Sequence, residues 1–328
     1  MENGRIVSYN TDTLEATSIV ETTGACQGQN SAFSIASTAE PLFLFSCSYV
    51  RGEAIGCGMS ISINEDGSLG EAAHTWSYGQ TSSSHGIALN EVNGTRLLYT
   101  ADLGSNSIWT HTVDESGNVK EIGQAKIRGE APTPRHIKLH PNGKYAYVTL
   151  EAVNRVTSFR LDQSWILTDE DSAMHWLIPE GRCHEAPIHV SKYLTDLDAE
   201  GERANNDQYW SAAVNISPNG RYLWATARGR QRSTGYISCF LLDGDGRILK
   251  RLFIMATGTT NTTSSSLTTA PWSDEYVVFA DAPGGYVEIL KLDGREETDM
   301  GVEYSSARVV AKLDIEEGAC CGNPVWLD

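Results

Sequence analysis

A phrase recurs along this chain: an apolar strand, a tight polar turn holding glycine, then a second strand rich in aromatic and β-branched residues. It reads Ile87-Ala88-Leu89, Asn93-Gly94, Leu97-Leu98-Tyr99-Thr100. It returns as Ile137-Lys138-Leu139, His140-Pro141-Asn142-Gly143, Tyr145-Ala146-Tyr147-Val148, and again as Val214-Asn215-Ile216, Ser217-Pro218-Asn219-Gly220, Tyr222-Leu223-Trp224-Ala225. Asn-Gly between alternating apolar runs is a hairpin signal, because both residues tolerate the positive φ of a tight turn. Each hairpin leads through an Asn-, Gly- or Ser-bearing loop into a third alternating strand, at 107–111, 155–160 and 235–240. A polar turn and a fourth, more polar strand complete most units. Four antiparallel strands in about 40–55 residues is the period of a β-propeller blade. Read outward, the grammar gives five complete units, at 31–76, 84–127, 134–177, 212–255 and 265–313. A β-sandwich or a pair of small β domains would explain the alternation but not the repetition at blade spacing.

The expected fold is therefore all-β, a single β-propeller domain over residues 1–328, six-bladed by this count. Strands at 5–9 and 15–20 lack inner partners and a short strand at 324–327 has no blade, so pairing of the two ends would close the ring and hide both edges. Two stretches break the period. Residues 180–209 form a charge-rich, lid-like insertion, and the Thr/Ser run at 257–269 reads as a second rim loop.

Composition narrows the function classes. With 25 Lys+Arg against 42 Asp+Glu, the formal net charge is −17, and such a surface repels nucleic-acid backbones and anionic membranes. A small-molecule substrate is the expected partner, with neither nucleic acid nor membrane. No run of about 18 apolar residues is present to span a bilayer. The 7 cysteines are scattered, without CxxC pairs or histidines at zinc spacing, so no metal site is expected and the odd number leaves at least one thiol free. Sequons at Asn93, Asn215 and Asn261 fit a secreted or secretory-pathway glycoprotein, although Pro218 after Asn215-Ile216-Ser217 weakens that one. A cytoplasmic location is the alternative.

In a propeller the first strand of each blade lines the central channel, so polar residues at strand ends converge there. That selects His85 and Arg135 at the starts of first strands, and Glu151 and Arg228 at the ends of second strands. Singly, each has a plain structural explanation. Together, at matching positions, one imidazole, one carboxylate and two guanidinia make a catalytic set.

The stretches Thr100-Ala101-Asp102-Leu103-Gly104-Ser105-Asn106, Pro134-Arg135-His136-Ile137-Lys138-Leu139-His140-Pro141-Asn142-Gly143, Glu151-Ala152-Val153-Asn154-Arg155 and Ala270-Pro271-Trp272-Ser273-Asp274-Glu275 resemble the fungal 3-carboxy-cis,cis-muconate cyclase (lactonizing enzyme) family over most of the chain. The resemblance implies a seven-bladed, cofactor-free propeller whose site combines a His, a Glu and two Arg, matching His85, Glu151, Arg135 and Arg228. Where the family carries an arginine ahead of the unit at 212–255, this chain has Trp210. Indole in place of guanidinium suits a flat, conjugated, apolar substrate better than a polycarboxylate. Trp210, Tyr209, His136 and Arg51 are the expected substrate-binding residues.

Three functions follow. Trp210, the sequons and the cysteines favour a divergent ring-forming enzyme of fungal secondary metabolism, of the hetero-Diels–Alderase type that a looser resemblance suggests; orientation would dominate such chemistry. The alternative is lactonization of a carboxymuconate in aromatic catabolism, with His85 as acid–base group, Glu151 supporting it, and the arginines clamping carboxylates. The third is a non-catalytic binding scaffold.

Overall fold

The alternating segments are realised as twenty-two strands in the computed structural model, which describes residues 4–50, 55–92, 94–129, 132–179, 209–229, 234–260, 265–281, 284–315 and 323–327. The chain divides into two units, residues 1–139 with 162–167, and residues 140–161 with 168–328.

In the first unit, β1 (Arg5–Tyr9) and β2 (Ala16–Glu21) form a two-stranded antiparallel sheet. Two four-stranded meanders follow. One is β3 (Ser31–Ala36), β4 (Phe43–Ser48), β5 (Cys57–Ile63) and β6 (Leu69–Ser77); the other is β7 (Ser84–Val92), β8 (Thr95–Asp102), β9 (Ser107–Val113) and β10 (Val119–Lys126). The first strand of the third sheet, β11 (Pro134–Leu139), also belongs to this unit. That sheet continues in order through β12 (Tyr145–Leu150), β13 (Arg155–Leu161) and β14 (Leu167–Trp176). The second unit adds β15 (Tyr209–Ile216), β16 (Tyr222–Gly229), β17 (Thr234–Leu242) and β18 (Ile248–Thr260), then β19 (Ser265–Thr269), β20 (Tyr276–Asp281), β21 (Tyr286–Thr298) and β22 (Gly301–Asp314). The five units read from the sequence are thus five four-stranded sheets, each with its strands in chain order.

Burial explains the two kinds of strand. Every residue of β12 and of β16 is buried. Strands covered on both faces read as continuous apolar runs, as Tyr145 to Leu150 does, rather than as alternation. Apolar clusters join neighbouring sheets within each unit: Phe45, Trp76, Tyr78, Ile87, Leu98 and Trp109 in the first, and Trp224, Ile237, Phe279, Leu290 and Tyr304 in the second. The Pro-Asn-Gly turns close with Gly143 at φ 72° and Gly220 at φ 74°, a region that β-carbons disfavour. The recurrence of glycine in the phrase follows from that geometry.

Three sequence expectations change. Residues 324–327 form no strand; instead Thr268 Oγ1 donates to Pro324 O at 2.9 Å and Trp326 packs edge-on to Trp272 at 4.9 Å. The N-terminal strands pair with each other. The Thr/Ser run is largely strand, with β18 running through Thr260 and β19 opening at Ser265, since β-branched threonine suits a pleated ladder. Of the lid-like insertion, only Tyr209 lies within the described residues, as the first residue of β15.

A Cys26–Cys57 disulfide ties the turn at Gly24–Cys26 to β5, while Cys47 and Cys239 are buried free thiols. Asn215 is engaged at both ends of its amide, donating to Leu267 O at 3.3 Å and accepting from Ile216 N at 2.9 Å. A side chain so committed is a poor glycan acceptor. Asn93 and Asn261 lie outside the described residues.

Candidate functional site

The start of β7 is pinned to the end of β4. Ser84 Oγ donates to Ser48 O at 2.7 Å, Ser83 Oγ to Val50 O at 2.7 Å, and the Cys47 thiol to His85 O at 3.1 Å. Between Ser84 and Ile87 the ladder to β8 shifts register, and the irregularity carries His85. Beside it, Gly86 lies directly on β11: a β-carbon there would sit 2.6 Å from Arg135 O and 2.7 Å from His136 Cα. Only glycine permits this approach.

The consequence is a cluster of rings and cations on the first strands of the first unit. His85 and His136 meet edge to face at 4.8 Å, His85 also meets Tyr49 at 5.8 Å, and His136 meets Phe33 at 5.6 Å. Arg135 Nη1 lies 3.3 Å from each ring nitrogen of His136. Its N–H can donate only to a ring nitrogen that keeps its lone pair. His136 is buried, whereas His85 and Arg135 retain some exposure. Of the residues selected from the sequence, these three come together in the first unit.

Beneath them stands a carboxylate that the sequence reading passed over. Asp102, fully buried, accepts from Ser83 N (2.7 Å), Gly104 N (3.1 Å), Ser105 N (3.2 Å), Ser105 Oγ (2.7 Å) and Trp109 Nε1 (2.8 Å). It organises its own turn and the residue that precedes β7, so it positions His85 indirectly. The signal lay in the Asp-Leu-Gly-Ser-Asn turn, where an aspartate accepts from amides two and three residues on.

In the second unit, Glu151 and Arg228 are 3% and 4% exposed and form an ion pair with each other. Glu151 O accepts from Ser211 N at 3.2 Å. Trp210, opposite Arg228 in the ladder, lies with its ring 5.5 Å from the guanidinium carbon. Tyr209 is buried against Tyr236 at 5.5 Å. The observed partner of the Glu151 carboxylate is therefore an arginine, and Arg228 already has an internal anion. Arg51 lies outside the described residues. Among the described residues no group of three or more His, Cys, Asp or Glu is placed to hold a metal ion, and no helix is long and apolar enough to cross a membrane.

Repeated four-stranded antiparallel sheets with ionisable groups gathered on first strands define a β-propeller of the lactonase kind. The chain belongs to the lactonase family of seven-bladed β-propellers, whose profile matches residues 1–298. It is 28% identical over 274 residues to the carboxy-cis,cis-muconate cyclase of Neurospora crassa, covering 83% of this chain and 68% of that protein. It is 27% identical over 246 residues to muconate cycloisomerase 1 of Cutaneotrichosporon cutaneum, covering 72% of this chain and 57% of that one. Among solved structures, the periplasmic gluconolactonase of Pseudomonas aeruginosa superposes with a TM-score of 0.64 at 18% identity, covering 96% of this chain and 78% of its own. The chain thus spans between 57% and 68% of the length of these two curated relatives. Their names favour the lactonizing alternative over the hetero-Diels–Alder reading.

Proposed function

We propose that this chain is a cofactor-independent cyclase that closes a lactone ring on a conjugated, unsaturated carboxylate, of the carboxymuconate type. The observation that carries the reading is the His85–His136–Arg135 cluster, an acid–base imidazole and a guanidinium set side by side on the first strands of a propeller whose sequence relatives are muconate-cyclizing enzymes. In the reaction a substrate carboxylate oxygen bonds to one carbon of a double bond while the other carbon takes a proton. Arg135 offers two parallel N–H donors to a carboxylate, which fixes its plane. His85, partly exposed and braced between Tyr49 and His136, delivers the proton to carbon. General-acid assistance of this kind is worth about 10²- to 10⁴-fold. Glu151 and Arg228, expected in the site from the family resemblance, are assigned to it on that resemblance alone.

Solvent labelling tests the reaction type. In D₂O, 3-carboxy-cis,cis-muconate is expected to yield a lactone with one deuterium at the carbon that receives the proton, in a single configuration. A racemic lactone at the uncatalysed rate contradicts the proposal. An adduct of a quinone methide and an alkene without deuterium uptake would restore the hetero-Diels–Alder reading, since cycloaddition transfers no proton.

We further propose that the chain functions in an oxidising compartment. The buried Cys26–Cys57 disulfide supports this, because cytosolic thiols are kept reduced. Peptide mapping of source material alkylated at lysis should recover the bridged pair; recovery of both as alkylated thiols contradicts it.

A further inference from the structure

His85 stands where its own sheet loosens its hold on the backbone. In the β7–β8 ladder Ser84 pairs with Asp102 and the next pair is Ile87 with Thr100, so His85 and Gly86 together face Ala101 across the bulge. A bulge disrupts the ladder locally, and a side chain carried on it is only as well placed as the contacts that take the ladder's part. Here they come from β4. The Cys47 thiol donates to His85 O at 3.1 Å, and Ser84 Oγ donates to Ser48 O at 2.7 Å. Two consecutive residues of β4 thus hold two consecutive residues at the start of β7. Cys47 is 1% exposed and Ser84 is fully buried, so water does not compete for either bond.

The second unit ties its own bulge in the same way. The β15–β16 ladder shifts register between Ser211 and Val214, and there Thr149 Oγ1, on β12, donates to Ala212 O at 2.7 Å. In each unit a side chain on the second strand of one sheet binds a carbonyl in the bulge on the first strand of the next. The second unit uses a hydroxyl beneath an alanine, whereas the first has a thiol beneath the histidine. Burial pushes the Cys47 thiol above its ordinary value, so it stays S–H and remains a donor.

We propose that Cys47 is a positioning residue for ring closure: its S–H holds the His85 carbonyl and so fixes the direction in which the imidazole meets the substrate, with Ser84 as the second tie. The proposal rests on the reading of His85 as the acid–base group and adds a residue that touches no substrate atom.

Three variants test it. Cys47→Ser keeps a donor, while Cys47→Ala and Cys47→Val, one smaller and one larger, keep none. On 3-carboxy-cis,cis-muconate, kcat is expected to fall about tenfold or more in the two variants without a donor, because a misdirected imidazole slows proton delivery. KM should stay within about twofold, since Arg135 still holds the carboxylate. Cys47→Ser should recover most of the kcat. The His85 ring signal in a proton–carbon NMR spectrum, assigned by its loss in His85→Ala, should move in the alanine and valine variants and return in the serine variant. An unaltered kcat and ring signal in a folded variant without the donor overturns the proposal. So does a serine variant as impaired as the alanine one, or failure of both donor-free variants to fold, which would make the thiol a packing residue. If the unaltered protein does not cyclize carboxymuconate, the reaction assignment fails and the His85 signal alone decides the positioning.

Discussion

At the scale of single residues, the strongest consequence attaches to His85. Its replacement by alanine removes the proton donor without opening the core, since the side chain is only partly buried. Turnover is expected to fall about 100-fold or more with little change in thermal midpoint, read from the loss of diene absorbance and a melting curve. Glu151 behaves oppositely. With both partners almost fully buried, Glu151→Ala leaves the Arg228 guanidinium without its carboxylate, a loss of about 3–5 kcal/mol in denaturant unfolding. Glu151→Gln, which keeps a hydrogen-bond acceptor but loses the charge, should cost less; equal losses would show that the missing charge alone, and not the hydrogen bond, is the source. His85, Arg135, Glu151 and Arg228 could be selected from the sequence because strand-end positions are countable from the repeated phrase. The pairing of Glu151 with Arg228 was not countable, as it depends on side-chain reach between β12 and β16.

At the scale of elements, Gly86 decides how closely β7 lies on β11. Gly86→Ala places a methyl 2.6 Å from a backbone carbonyl that cannot swing aside, and a destabilisation of about 1–3 kcal/mol with a parallel loss of turnover is expected. Full stability in that variant would show that the two strands separate freely. The Cys26–Cys57 bridge closes a loop of 31 residues, for which chain entropy gives about 3–4 kcal/mol. Reduction should lower the unfolding midpoint accordingly, measured with and without dithiothreitol. The hairpins, their order and the unit boundaries were legible because turn chemistry and strand period are local. The fate of 324–327 and of the threonine run was not, because a short extended segment gains strand pairing only from a neighbour that sequence does not reveal. Here Thr268 and Trp272 hold the C-terminal residues by side chains rather than by a ladder.

At the scale of the whole molecule, buried imidazoles contribute to the dependence of stability on acid. His111 is 3% exposed among Trp76 and Tyr78, its Nδ1 has no hydrogen-bond partner, and burial pulls its pKa down to about 4. Burial likewise lowers His175. A group whose folded pKa lies below its unfolded value contributes stability that is present above the unfolded value, near 6.5, and drains as pH falls toward the folded one. The chain should therefore lose about 3 kcal/mol from His111 between pH 6.5 and 4. In His111→Phe, which cannot be protonated, the slope of unfolding free energy against pH over that interval should flatten; an unchanged slope would remove His111 from the explanation.

The assignment of ring-closing activity to the His85–Arg135 face is tested most directly by steady-state rates on 3-carboxy-cis,cis-muconate for the unaltered chain, His85→Ala and Arg135→Ala, side by side. Turnover by the unaltered chain is expected, with kcat reduced about 100-fold or more in His85→Ala and KM raised about tenfold or more in Arg135→Ala. Both variants matching the unaltered chain in kcat and KM, or no turnover by the unaltered chain itself, would contradict it.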